Sequence, residues 1–161
     1  MSVLRERPRQ VVDFPLPFFW PYACKGAFAE VRARMSTGSS EPTILVVEDQ
    51  PEVLSLLADA LQMVGYRVLT AAHPALGLAI GDEHAEEIDL VLTDVVMPGM
   101  NGPEMAERLV FRHPSLRVLY VSGHDEETLG SLGVPDDGPA ILKKPFTMDT
   151  LVERVSGALC R

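Results

Sequence analysis

From Glu41 onward the apolar positions of this chain alternate between two periods. Thr43-Ile44-Leu45-Val46-Val47 is a short, continuous, β-branched run, the pattern of a parallel strand buried on both faces. Pro51 then opens a helix whose apolar residues are Val53, Leu56, Leu57, Ala60, Leu61 and Val64. Their offsets of 0, 3, 4, 7, 8 and 11 fall on one helical stripe, and Gly65 is placed to end it as a C-terminal cap. Arg67 to Ala71 reads as a second strand, Pro74 to Ile80 as a short helix ended by Gly81, and Ile88 to Thr93 as a third strand. Asn101 can cap a helix with Pro103 in its first turn, running to Arg112 before His113-Pro114. Leu116 to Val121 is a fourth strand and Asp125 to Leu132 a weak, short helix. Ala140 to Lys143 is a fifth strand, and Thr147 caps a last helix carrying Leu151, Val152, Val155, Ala158 and Leu159.

Five strand–helix repeats predict an α/β fold with one parallel sheet and helices on both faces, because parallel crossovers need a helix and are right-handed. In such open sheets the functional crevice lies beyond the carboxyl ends of the strands.

Residues 1–40 follow neither period. They are rich in Pro, Arg and aromatic residues and end in Ser36-Thr37-Gly38-Ser39-Ser40, a linker composition. The expectation is a disordered or weakly structured N-terminal extension, with at most a helical turn or two over Lys25 to Arg34, and a folded domain over 41–161. Met35 resembles an ordinary protein start, so residues 1–34 also fit an over-extended gene start. The apolar stretch Val11 to Cys24 contains Asp13 and is broken by Pro15, Pro17 and Pro21, which excludes a spanning helix and makes a poor signal peptide. Cys24 and Cys160 have no metal-ligand spacing, so reduced thiols and a cytoplasmic location are expected.

Charge sharpens the division. The net charge is −9, but residues 1–40 carry six basic and three acidic side chains while residues 41–161 carry eight basic and twenty acidic. A body that acidic lacks the Lys and Arg clusters that direct nucleic-acid binding requires. It suits metal cations or basic partner faces.

The acidic residues fall where the sheet would focus chemistry. Glu48 and Asp49 follow the first strand, Asp94 the third, Ser122-Gly123 the fourth, and Lys143-Lys144-Pro145 the fifth. Two carboxylates about 4 Å apart repel by roughly 4 kcal/mol at an effective dielectric near 20. Such a group needs a proton or a cation. A hard divalent ion such as Mg²⁺ takes a few carboxylates and keeps sites for a phosphate oxygen. Lys144 could then neutralise a phosphoryl group as a point charge, with the Ser122 hydroxyl bonding one of its oxygens.

Glu48-Asp49, Thr93-Asp94 with Met97-Pro98-Gly99 behind it, Ser122-Gly123 and Lys144-Pro145-Phe146 together resemble the receiver domain of two-component response regulators. The resemblance covers residues 43–159. Leu119-Tyr120-Val121-Ser122-Gly123 and Lys144-Pro145-Phe146-Thr147 look most like the C-terminal receivers of hybrid sensor kinases. It implies a flavodoxin-like doubly wound sheet of strand order 2-1-3-4-5. It also implies a phosphoacceptor Asp94, supplied by a phosphohistidine on a partner histidine kinase or phosphotransfer protein. Glu48, Asp49, Asp94 and the Val96 backbone carbonyl would hold Mg²⁺. Ser122 would move to bond the phosphoryl group and Lys144 would pair with it, its peptide to Pro145 being cis. The chain would be a phosphoacceptor rather than a turnover enzyme, either a single-domain regulator or a phosphorelay intermediate, with no membrane contact and no output partner legible.

Departures from the pattern matter. Ile141 stands three positions before the lysine, where such domains often carry an aromatic switch residue. Gly130 and Gly133, with Pro135 and Gly138 following, would loosen the helix after Ser122. Val96 and His124 would flank the phosphoryl group. Two other readings compete: a pseudo-receiver that binds partners without phosphorylation, and an aspartyl-nucleophile phosphohydrolase. The second would want an Asp where Val96 stands, and a cap domain. His73, His84, His113 and His124 lack ligand spacing, so surface positions are expected for each. Met97, Met100 and Met105 read as packing residues.

Overall fold

The computed structural model describes residues 41–134 and 141–160. Residues 1–40, Pro135, Gly138 and Ala140, for which the sequence raises expectations, lie outside these. Five strands, β1 (Thr43–Val47), β2 (Arg67–Ala71), β3 (Ile88–Asp94), β4 (Arg117–Ser122) and β5 (Ile141–Lys143), alternate with five helices. The helices are α1 (Pro51–Val64), α2 (Pro74–Glu83), α3 (Gly102–Arg112), α4 (Glu126–Ser131) and α5 (Met148–Leu159). All strand pairs are parallel, in the order β2-β1-β3-β4-β5, as the family resemblance implied.

The sheet sits between two layers. Alternate side chains of the central strands (Ile44, Val46, Leu90, Leu92, Leu119, Val121) pack with Leu57 and Leu61 of α1 and Leu151 and Val155 of α5. The opposite set, with Leu45, Val47 and Val91, packs with Met105 and Leu109 of α3 and against Leu78 of α2. Met97 and Met105 are buried there, as packing residues. A third cluster joins Val95, Ala106, Tyr120, Leu129 and Val134, under α4. Burial on both faces explains the continuous apolar runs Ile44 to Val47 in β1 and Leu90 to Leu92 in β3.

Register carries the site. Val47 lies beside Ala71 on one side and Thr93 on the other, Asp94 beside Val121, and Ser122 beside Lys143. The β1–β3 pairing slips between Thr43 and Ile44, passing over Asp89. The Asp89 carboxylate accepts the Thr43 N–H at 2.9 Å there, so the slip strands no donor.

Three helix starts carry the caps read from sequence or close equivalents. Asn101 Oδ1 accepts from Glu104 N at 2.7 Å, Asp125 Oδ1 from Thr128 N at 2.9 Å, and Thr147 Oγ1 from Thr150 N at 3.2 Å. The Asp125 carboxyl sits below its ordinary pKa because Thr128 bonds its ionised form. His73 caps α2 through Nδ1, His84 pairs with Glu87, and His113 pairs with Asp82. Gly65 ends α1 with φ 104°, a left-handed conformation in which glycine avoids the Cβ clash.

Two readings are corrected. Gly81 does not stop α2, which runs on to Glu83. Gly81 is instead a packing gap, since a Cβ there would lie 2.6 Å from Leu109 Cδ2 of α3. On α1, Leu56 is 62% exposed, whereas Leu54 packs against the core. The inward stripe is Val53, Leu54, Leu57, Ala60, Leu61 and Val64, rotated by part of a turn toward α5. Strand and helix ends moved by one residue elsewhere: β3 includes Asp94, β4 runs from Arg117 to Ser122, and Asp125 and Leu132 flank α4 as its caps.

Candidate functional site

The carboxyl ends of β1 and β3 bring three acidic side chains together. One ligand oxygen from each of Glu48, Asp49 and Asp94 lies within 4.8 Å of the other two, and this is the one such cluster among the described residues. Glu48 is 1% exposed and Asp94 9%, so water can do little to screen them. Lys144 answers from the end of β5, where the Lys144–Pro145 peptide is cis. Its Nζ donates to Glu48 Oε2 and to Asp94 Oδ2, both at 3.2 Å. Lys144, not Lys143, is therefore the inward lysine.

The backbone holds these groups in place. Glu48 N donates to Ala71 O at 3.1 Å, and Gln50 N returns to Glu48 Oε1 at 3.2 Å. Lys144 N donates to Ser122 O at 2.7 Å, and Val95 N to Val121 O at 3.1 Å, which ties the β5, β4 and β3 ends to one another. Behind Asp94, Gly102 N donates to Val95 O at 2.9 Å. A Cβ on Gly102 would lie 2.0 Å from the Asp94 carbonyl oxygen. No side chain fits that approach, so Gly102 sets the position of Asp94. Sequence reading passed over it, because only the β3–α3 turn brings the two together; the signal available was a glycine between a cap and a proline.

Charge balance follows from this geometry. Burial, then the Asp94 carboxylate, push the Glu48 carboxyl above its ordinary pKa, against the opposing pull of the Gln50 N–H and Lys144. Burial pulls the Lys144 ammonium down, but Asp94 and Glu48 together outweigh it and hold it above the ordinary lysine value. Three carboxylates against one ammonium leave a net negative charge. The donors are all hard oxygens, and the Val96 carbonyl takes part in no backbone hydrogen bond among the described residues. This set fits a small divalent cation.

Ser122 is fully buried, and its Oγ accepts from His124 N at 3.0 Å. The hydroxyl is thus engaged in its own loop and makes no hydrogen bond to the acidic group. Val96 is 45% exposed and His124 also faces solvent. Ile141 pairs with Tyr120 of β4, whose side chain packs with Val95, Ala106 and Leu129. Burial, then the Glu107 charge, push its phenol up to about 12.

A receiver-domain profile described as "Response regulator receiver domain" matches residues 44–156. The chain belongs to the response regulator receiver domain family. The receiver is 36% identical over 121 residues to the sensor kinase CckA of Brucella abortus, covering 75% of this chain and 13% of that protein. It is 32% identical over 117 residues to the response regulator receiver protein CpdR of the same organism, covering 72% of this chain and 95% of CpdR. Against the nisin biosynthesis regulatory protein NisR of Lactococcus lactis it is 34% identical and spans 50% of that chain. The receiver thus spans half or less of the length of CckA and NisR, and nearly all of CpdR. Among solved structures, the receiver domain of the hybrid histidine kinase CckA aligns with TM-score 0.58 and 36% identity, covering 73% of this chain and 98% of that one. A receiver domain protein from Clostridium thermocellum aligns with TM-score 0.68 and 29% identity, covering 74% and 95%.

Proposed function

We propose that this receiver is a phosphoacceptor of two-component phosphorelay signalling. Asp94 takes the phosphoryl group from a phosphohistidine of a partner histidine kinase or phosphotransfer protein in the cytoplasm. The observation that carries this is the convergence of Glu48, Asp49 and Asp94 from two strand ends on the ammonium of Lys144 from a third. The similarity to the sensor kinase CckA and to CpdR supports a histidine-kinase partner.

In the transfer, an Asp94 carboxylate oxygen attacks phosphorus. The phosphorus–nitrogen bond of the donor breaks, and the departing imidazole takes up a proton. Glu48, Asp49, Asp94 and the Val96 carbonyl would hold Mg²⁺, which would supply the positive charge an anionic phosphoryl group needs beside an acidic cluster. Lys144, already on Asp94, neutralises a phosphoryl oxygen. Releasing its bond to Asp94 frees the ammonium for that contact. Ser122 donates its O–H to a phosphoryl oxygen, and because its Oγ accepts from His124 N–H this couples the acceptor to the loop leading into α4. Asp94 is consumed once per transfer, so the chain is a stoichiometric acceptor and not a turnover catalyst.

Incubation with Mg²⁺ and acetyl phosphate should give a hydroxylamine-labile adduct of one phosphoryl group by intact mass. It should be lost with EDTA and in Asp94→Asn. An adduct that persists in Asp94→Asn sinks the assignment. No adduct at all would favour an interaction module that works without phosphorylation.

A further inference from the structure

The peptide that carries the acceptor is held by a side chain that the phosphoryl chemistry itself does not use. On the β1 side of β3 the pairing ends with Val47 opposite Thr93, one residue short of Asp94. The Asp94 carbonyl oxygen is met instead by the Thr93 hydroxyl, whose Oγ1 donates to it at 3.0 Å. Thr93 is fully buried, so no water competes for this bond. Gly102 closes on the same spot, since a Cβ there would lie 2.0 Å from Asp94 O and 3.1 Å from Thr93 Oγ1. Hydroxyl, carbonyl and glycine share one packed position directly behind the acceptor.

That position is the neck of the β3–α3 loop. Val95 N donates to Val121 O at 3.1 Å, and Val95 O accepts from Gly102 N at 2.9 Å, which ties Val95 at both ends. Val96, the residue whose carbonyl faces no backbone donor among the described residues, follows directly. The loop then turns through Gly99, at φ 84°. The Asp94–Val95 peptide therefore stands between the acceptor carboxylate and the Val96 carbonyl, and its orientation sets both. Among the described residues, Thr93 is the one side chain hydrogen-bonded to that peptide.

We propose that Thr93 is a positioning residue for metal binding and phosphoryl transfer, its hydroxyl fixing the Asp94–Val95 peptide so that the Asp94 carboxylate and the Val96 carbonyl converge on one cation. This role presupposes the phosphoacceptor function proposed above. Thr93 touches no phosphoryl oxygen and moves no proton. Without its hydroxyl, a buried carbonyl loses a donor and the peptide gains freedom to turn, and small misplacements of positioned groups cost rate.

Thr93→Val removes the hydroxyl at nearly constant volume, and Thr93→Ser keeps it. Mg²⁺ affinity is read by isothermal titration calorimetry on the full chain, and acyl-phosphate formation from acetyl phosphate at saturating Mg²⁺ by intact mass. Loss of one buried hydrogen bond should raise the Mg²⁺ Kd of Thr93→Val about fivefold, and the rate should fall by a similar factor. Thr93→Ser should restore both. Thr93→Ala should behave as Thr93→Val, and replaces it in the comparison if the valine variant does not fold. Thr43→Val, buried at the opposite end of β1, should change neither value. A Thr93→Val that melts lower in EDTA yet keeps the wild-type Mg²⁺ Kd and rate would overturn the proposal and leave Thr93 a packing residue. A serine variant as impaired as valine, or a Thr43→Val that weakens Mg²⁺ binding equally, would overturn it too. A wild type that binds Mg²⁺ but forms no adduct would refute the acceptor function, and the Mg²⁺ comparison would still decide the role of Thr93.

Discussion

Replacing Asp94 by asparagine removes one charge and leaves the shape of the site nearly unchanged, so the sign of its effect on stability reports how crowded the acidic group is. The Asp94 carboxylate has two like charges within 4.8 Å and one ammonium at 3.2 Å. At an effective dielectric near 20, each carboxylate pair at that distance repels by about 3.5 kcal/mol and the ion pair attracts by about 5. Repulsion on Asp94 exceeds attraction by about 2 kcal/mol, and the partial exposure of Asp49 and Lys144 screens this somewhat. In EDTA, Asp94→Asn should therefore be more stable than wild type by about 1–2 kcal/mol, a rise in melting temperature of roughly 4–8 °C. Mg²⁺ should reverse the order. A ligand at a hundred times its Kd adds about 2.7 kcal/mol to the state that binds it, and the wild type keeps the full ligand set. Thermal unfolding of both proteins, with EDTA and then across a Mg²⁺ series, gives the four stabilities required. An asparagine variant less stable in EDTA would show that the Lys144 attraction dominates, and equal Mg²⁺ gains would remove Asp94 from the metal site.

Other consequences follow from neighbouring residues. Gly102→Ala drives a methyl group into the Asp94 carbonyl and should cost on the order of 2 kcal/mol, measured by urea unfolding. It should also slow phosphorylation by acetyl phosphate, although no catalytic side chain has changed. Lys144→Met leaves Glu48 buried among like charges and should destabilise the metal-free protein by about 1–3 kcal/mol; a neutral result would deny the ion pairs a structural role. Glu48 sets a pH dependence. Its folded pKa is raised above 4.5, so the folded state holds that proton more tightly than the unfolded chain. That contribution is fully present below 4.5 and is lost as pH rises through the folded value. Lys144 is raised from 10.5, so its contribution stays constant until pH climbs past that range. A side-chain NMR titration of Glu48 should show the raised midpoint without metal and a fall when Mg²⁺ is added.

The element order and the strand-end chemistry were legible because each rests on local pattern. A β-branched run, a helical stripe, and a carboxylate just past a strand need no tertiary knowledge, and a parallel sheet brings strand ends together whatever the loops do. Gly81 misled because a glycine that ends a helix and one that lets two helices approach look alike; the difference is made by Leu109, 28 positions on. Leu56 and Leu54 both sit at helical spacing, and the position of α5 decides which turns inward. The role of Gly102 depends on a turn geometry that spacing does not encode. The Ser122 hydroxyl was expected to act on a phosphoryl group, but its resting partner, His124 N, is fixed by the loop after β4.

The most direct test of the phosphoacceptor assignment is to locate the adduct. The wild type is treated with acetyl phosphate and Mg²⁺, quenched with borohydride, and its peptides are sequenced by mass spectrometry. Reduction of an acyl phosphate converts an aspartate to homoserine. Homoserine is expected at position 94 and absent when EDTA replaces Mg²⁺. Homoserine at position 49 instead, or aspartate unreduced at 94 in a protein that carries the phosphoryl mass, would contradict it.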